Sequence, residues 1–246
     1  MAHINLYAVL GTLENLCEIV PEASAMLTNT KPISIGFEVK DGPSATITFK
    51  NGRCRMEQGV GKCDVKLPFS SCEKFNGLID GTVTPIPSKG FQHIKFLLKT
   101  FTPLTDLLAK YMRPSPEDLQ DRTFFEQSTT LMLYTIAVAI SQIANNDKIG
   151  QFSASHIVDG EIGLGIKDGP AATIRAKNGR LVTIKKRCEN PRADMEFASI
   201  DLARDLFDGK INAVACIGMG AITMKGMISM IDNMNRLLDR VALYLA

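Results

Sequence analysis

The chain has 246 residues, of which 45% are hydrophobic, enough to fill one large core or two of ordinary size. Lys and Arg number 28 against 26 Asp and Glu, a net charge of +2. That balance gives no broad attraction to nucleic acid, and with no Trp in the chain and no aromatic residues among the cations from Arg175 to Arg192 there is no base-stacking platform there. Met1 to Leu16 lacks a basic n-region, and Glu14 and Glu18 interrupt its apolar pattern, so this start reads as a domain helix rather than a secretory leader, and the protein as cytoplasmic.

In chain order, Leu6, Val9, Leu10, Leu13, Leu16 and Val20 recur at the three-and-four spacing of a buried helix face, and Pro21 ends or kinks that helix. Period-two runs follow from Ile33 to Val39 and Ala45 to Phe49, punctuated by Asp41-Gly42 and Asn51-Gly52, which predict an antiparallel meander because these residues tolerate positive φ. Val65, Leu67 and Phe69 alternate as a further strand. Ser70 to Glu73 reads as a capping box for a short helix ending near Gly77 or Gly81. The Pro-rich stretch Arg113 to Pro116 is a natural boundary, where Ser115 can cap and Pro116 can start the next helix. Gln127 to Asn146 carries no charge, but Thr, Ser and Gln near its centre and ends argue for a helix buried on more than one side rather than a membrane span.

The same pattern then returns. Gly36–Arg53 and Gly163–Arg180 agree at 12 of 18 positions, at an offset of 127 from Asp41 to Asp168. Unrelated sequences would agree at roughly one. Tyr7 to Leu10 matches Tyr134 to Ala137 at that offset. Downstream, Cys63–Leu67 aligns with Ala193–Phe197 at an offset of 130, from Asp64 to Asp194, which implies three extra residues in the second copy. Asp80-Gly81 answers Asp208-Gly209, and Leu107-Leu108 answers Leu237-Leu238. A last amphipathic helix presents Met227, Ile231, Met234, Leu238, Val241 and Leu245. The expected fold class is α+β, in two tandem domains, 1–114 and 115–246, each a mostly antiparallel five-stranded sheet covered by helices.

With this order of elements, the second copy resembles the sterol carrier protein type, or lipid-transfer, domain family. The resemblance rests on Asp168-Gly169, Asn178-Gly179, the strand Ala193–Phe197, the segment Ser199 to Gly209, and Gly218 to Gly226, which is similar to the family's closing glycine-bounded strand. The first copy departs there: Ser88 to Phe96 holds one glycine and no counterpart to Gly226. The resemblance implies non-catalytic binding of an apolar small molecule, a fatty acid, acyl-CoA, sterol or phospholipid, between sheet and helices, with no cofactor. Met residues cluster at 219, 224, 227, 230 and 234, where unbranched thioethers suit ligands of variable shape, although helical spacing alone is equally that of ordinary core. The residues expected to line such sites are Phe197, Phe207, Met224, Met227, Met230, Ile231 and Met234 in the second copy and Phe69, Phe91, Phe96 and Phe101 in the first.

The sequence holds no G-x-S-x-G, H-E-x-x-H, P-loop or G-x-G-x-x-G motif of an enzyme, and His3, His93 and His156 stand apart from any nucleophile. The six cysteines include no C-x-x-C pair, which disfavours zinc; Cys54, Cys63 and Cys72 could approach across strands, and Cys72 falls in the first turn of a helix. Arg175, Lys177, Arg180, Lys185, Lys186, Arg187 and Arg192 form either a solvated sheet face or a transient contact with an anionic membrane surface. The rival to a ligand carrier is an interaction module in which the uncharged helix at Leu131 to Ile143 supports a homodimer.

Overall fold

The computed structural model describes residues 1–245 and divides the chain into two compact units, Met1–Gln127 and Ser128 onward. The division falls inside a 25-residue helix that starts at Arg122, beyond the Pro-rich stretch.

In the first unit a helical lead-in, π-helical over Ile4–Val9 and 3-10 over Leu10–Thr12, runs into α1 (Leu13–Ile19). It buries Leu6, Leu10, Leu13, Leu16 and Val20, as the spacing predicts. Val20 is extended (φ −105, ψ 109), which breaks the helix, and Pro21 opens α2 (Pro21–Thr28) in the first turn, where its missing N–H costs nothing. The strands β1 (Ile33–Val39), β2 (Ser44–Lys50) and β3 (Arg53–Gln58) form the expected meander. At its Asn51-Gly52 turn φ is 51° and 76°, the paired positive values of a type I′ hairpin. β4 (Val65–Phe69) then lies parallel to β1, so the order is β3-β2-β1-β4. The sheet is therefore mixed rather than a simple meander: alternating in-and-out residues look alike in parallel and antiparallel strands, so the pattern could not tell them apart. Next come α3 (Cys72–Ile79), the one-turn α4 (Ile94–Phe96), a π-helical stretch over Leu97–Phe101, and α5 (Thr102–Met112).

The long helix α6 (Arg122–Asn146) is begun by Asp121, whose carboxylate accepts from the Phe124 N–H (3.0 Å). Within the second unit, Leu131, Leu133, Ala137, Ile140 and Ile143 are all buried, and these positions fall around the helix rather than on one stripe. No helix among the described residues is long and apolar enough to cross a membrane. After α7 (Lys148–Ser155) come β5 (Gly160–Ile166), β6 (Ala171–Lys177), β7 (Arg180–Ile184) and β8 (Ala193–Phe197), again with β8 parallel to β5. The helices α8 (Ile200–Phe207) and α9 (Ala213–Gly218), the strand β9 (Ile222–Gly226) and α10 (Ile228–Leu245) complete it. Here the sheet has five strands, β7-β6-β5-β8-β9; the Asn178-Gly179 turn repeats the type I′ angles at 50° and 72°.

The strand registers correct the sequence alignment. Ile35 faces Val65 and Ile162 faces Ala193, so Val65–Phe69 is the equivalent of Ala193–Phe197 at an offset of 128, not 130. Asp64 and Asp194 are consequently not equivalent; Asp194 takes the place of Lys66. A two-residue slip keeps every side chain on its own face, so hydrophobic pattern alone tolerates it. The caps follow the same offset. Ser71, rather than Ser70, accepts from the Lys74 N–H (3.3 Å), and Ser199 from the Leu202 N–H (3.1 Å). Ser199→Ala should cost about 1 kcal/mol, read as a lowered urea midpoint.

The first sheet has four strands where five were expected. Its fifth is reduced to one bridge, Lys66 to Lys89, at the position where Asp194 pairs with Lys225 in the second unit. Two residues further along, where the second unit pairs Glu196 with Thr223, the first has Pro68 and Pro87. Neither has an N–H to contribute, so the ladder ends.

Candidate apolar ligand site

The residues expected to line a site do not all come together. In the second unit Phe197 is buried and meets Phe207 edge-on, with ring centroids 5.8 Å apart. Met224 on β9 is half-buried and pairs across the strands with buried Met195. Met230, Ile231 and Met234 are buried on α10, which packs on β8. Met227 is not among them. It precedes α10 and is exposed, and Leu237 rather than Leu238 is fully buried on the helix.

In the first unit Phe96 and Phe101 lie against the sheet: Phe49 is 5.5 Å from Phe96 and 5.9 Å from Phe101, and Phe37 is 6.1 Å from Phe101. Phe69 meets Phe75 edge-on at 5.2 Å. Phe91 stands apart, 58% exposed on the surface.

The buried face of the closing helix has the same spacing in both units, four, three and four: Leu97, Phe101, Leu104 and Leu108 against Met230, Met234, Leu237 and Val241. With this correspondence and the strand registers, four of the five buried phenylalanines of the first unit, Phe37, Phe49, Phe75 and Phe101, are matched by Leu164, Ala176, Ala203 and Met234, all buried, while the fifth, Phe69, is matched by Phe197. Sequence reading singled out the methionines but missed Ala176 and Ala203. Their signal was the repeat itself, read for side-chain size once the register is known.

A polar side chain at the same place on the short helix of each unit ties it to the leading helix. Asn5 donates to Asn76 (3.0 Å) in the first unit, and Arg204, at the position of Asn76, donates to Ser128 (2.8 Å) in the second. Arg204 is only 3% exposed and is neutralised by Asp208 (3.0 Å), whose own pKa falls because hydrogen bonds from Lys210 and Arg204 outweigh its burial. Asp194 is the opposite case: burial, with Glu196 close by, pushes its carboxyl up despite Arg187 and Lys225. Asp64 is exposed, and hydrogen bonds from the Ser34 hydroxyl and N–H lower it.

The cationic face is partly paired. Arg175 binds Glu161 (2.7 Å), Arg187 binds Glu196 (3.1 Å) and the Ile166 carbonyl, and Arg192 donates to the Asp159 carbonyl. Cys54 lies 3.9 Å from Cys17, both buried, rather than beside Cys63 or Cys72. No group of three or more His, Cys, Asp or Glu among the described residues is arranged to hold a metal ion.

No family model matches the chain, and no curated protein does. Solved structures similar to part of it are sterol carrier protein domains. A structure described as a UbiJ-SCP2 ubiquinone synthesis protein is 12% identical, with 45% of this chain and 96% of that one covered, at a TM-score of 0.35. Sterol carrier protein domain 2 of Helicoverpa armigera is 20% identical over 52% of this chain and 92% of its own, at 0.35. Sterol carrier protein 2 of Yarrowia lipolytica, in its apo form, is 18% identical over 45% and 92%, at 0.34.

Proposed function

We propose that this protein is a non-catalytic carrier of an apolar small molecule, and that the second unit holds the ligand while the first is a filled scaffold. One observation carries the reading: four buried phenylalanines of the first unit are Leu164, Ala176, Ala203 and Met234 in the second. Rings fill the space under the first closing helix, and the shorter side chains at the same places in the second support room for a ligand there. A dry space lined by methyl and thioether groups favours an acyl chain, stabilised by roughly 25 cal/mol for each Å² of apolar surface it removes from water.

The test begins with the full-length protein taken from cells without detergent: its organic extract, analysed by mass spectrometry, should contain a lipid in amounts approaching one per chain. Ala176→Phe puts back the ring of Phe49 and should reduce uptake of a fluorescent fatty acid at least tenfold while the protein stays folded. If the space is already occupied by protein, the same change instead overpacks the core, costing about 1–3 kcal/mol. That result, together with an extract free of lipid, would refute the carrier reading.

A further inference from the structure

The two units share a surface feature that ligand burial does not explain. Between the short helix and the closing helix each chain segment is free of acidic residues, from Gly81 to Thr105 in the first unit and from Gly209 to Ile231 in the second. In the first unit this segment carries an exposed apolar stripe. Phe91, Ile94 and Leu98 are 58%, 48% and 64% exposed, and their spacing of three and then four places them on one side of the helical run from Phe91 to Phe101. The adjoining side of the same run buries Leu97 and Phe101 in the core.

Lys95 and Lys99 are exposed one residue beyond Ile94 and Leu98, and neither forms an ion pair among the described residues. Six residues separate Gly90 from Leu97 where three separate Gly226 from Met230, so the first unit has about one additional helical turn here, and that turn carries Phe91 and Ile94. The second unit exposes Met227 and Ile228 at the corresponding place.

We propose that this stripe seats the first unit on an anionic phospholipid bilayer, with Phe91, Ile94 and Leu98 entering the headgroup boundary and Lys95 and Lys99 contacting lipid phosphates. Charge decides the occupant. A second copy docking face to face would bring lysines against lysines with no carboxylate in the segment to offset them, whereas an anionic bilayer offers apolar depth and negative charge together. Asp64, which feels the charges of His93 and Lys89 from this segment, is held by hydrogen bonds from Ser34 and does not reverse the sign. The proposal concerns the first unit and does not depend on a bound ligand.

The experiment is vesicle co-sedimentation of the full-length protein with phosphatidylcholine alone and with phosphatidylcholine containing phosphatidylglycerol. Binding should be confined to the anionic vesicles and weaken with added salt. Lys95→Glu with Lys99→Glu should reduce it at least tenfold. Phe91→Ser with Leu98→Ser should do the same, and because all four side chains are exposed, far-UV circular dichroism should be unchanged. Absence of binding, or binding that both double variants retain in full, overturns the proposal. So does self-association in sedimentation velocity that Leu98→Ser abolishes while vesicles remain unbound, because the stripe would then belong to a second copy of the chain.

Discussion

Gly226→Ala is expected to release the edge of the second sheet, at a cost of roughly 3 kcal/mol or more, because the residue is constrained twice. Its φ is 91°, a backbone conformation that L side chains rarely adopt, and a Cβ there would run into the carbonyl oxygen of Arg192, with the Ala193 Cα next in line. Relief would require β9 to move away from β8, where Gly226 pairs with Ala193 and the following N–H, that of Met227, donates to the same Arg192 carbonyl (2.9 Å). Gly90→Ala should behave alike in the first unit: φ is 89°, and the Cβ would meet the Asp64 carbonyl oxygen and the Val65 Cα. Gly61→Ala is the control, since no atom lies within 4 Å of its Cβ and its φ is not positive. Hydrogen exchange at the amides of residues 193–197 should accelerate strongly in Gly226→Ala and stay at wild-type rates in Gly61→Ala. Equal, wild-type protection in both would show that the close approach exerts no constraint.

The match of these two glycines marks where the sequence was legible and where it was not. They lie over equivalent backbone, Asp64-Val65 and Arg192-Ala193, so Gly90 is the counterpart of Gly226 that the motif reading found missing. Comparison by motif failed because the strand before Gly90 had been lost at Pro68 and Pro87, leaving the one residue whose job is close approach without its flanking pattern. The hairpins were legible because Asp41, Asn51, Asp168 and Asn178, with φ between 50° and 55°, must solve a local problem, and local problems have local signatures. Parallel placement of β4 and β8 was hidden because it depends on which edge of the sheet is free. The site was half legible. Methionines on α10 are conspicuous, whereas Ala176 and Ala203 matter through what they lack, which is visible only against Phe49 and Phe75 in a correct register.

Asp147→Ala should lower the stability of the second unit by about 3 kcal/mol at neutral pH, since one carboxylate performs three tasks there. It caps α7 by accepting from the Gly150 N–H (2.8 Å), and its other oxygen accepts from Arg240 (2.8 Å) and the Tyr244 hydroxyl (2.8 Å) on α10. The pair is little screened, the two side chains being 17% and 20% exposed. Removing Asp147 strands a guanidinium whose Nε is already buried with no hydrogen-bond partner among the described residues. Burial alone would raise the carboxyl pKa, but the hydrogen bonds from Arg240, Gly150 and Tyr244 outweigh it and bring the value to about 2. A depressed pKa means stability that is fully present above the unfolded-state value near 4 and is lost as pH falls toward 2, amounting to about 2 kcal/mol. Urea midpoints of wild type and Asp147→Asn should therefore differ most at neutral pH, draw together as pH falls below about 4 and meet only at about pH 2, because protonation does to wild type what the amide does to the variant. Tyr244→Phe removes one hydrogen bond and leaves the ion pair, so it should cost only about 1 kcal/mol. A wild-type midpoint for Asp147→Ala at pH 7 would mean that α7 and α10 are held together by their apolar faces alone.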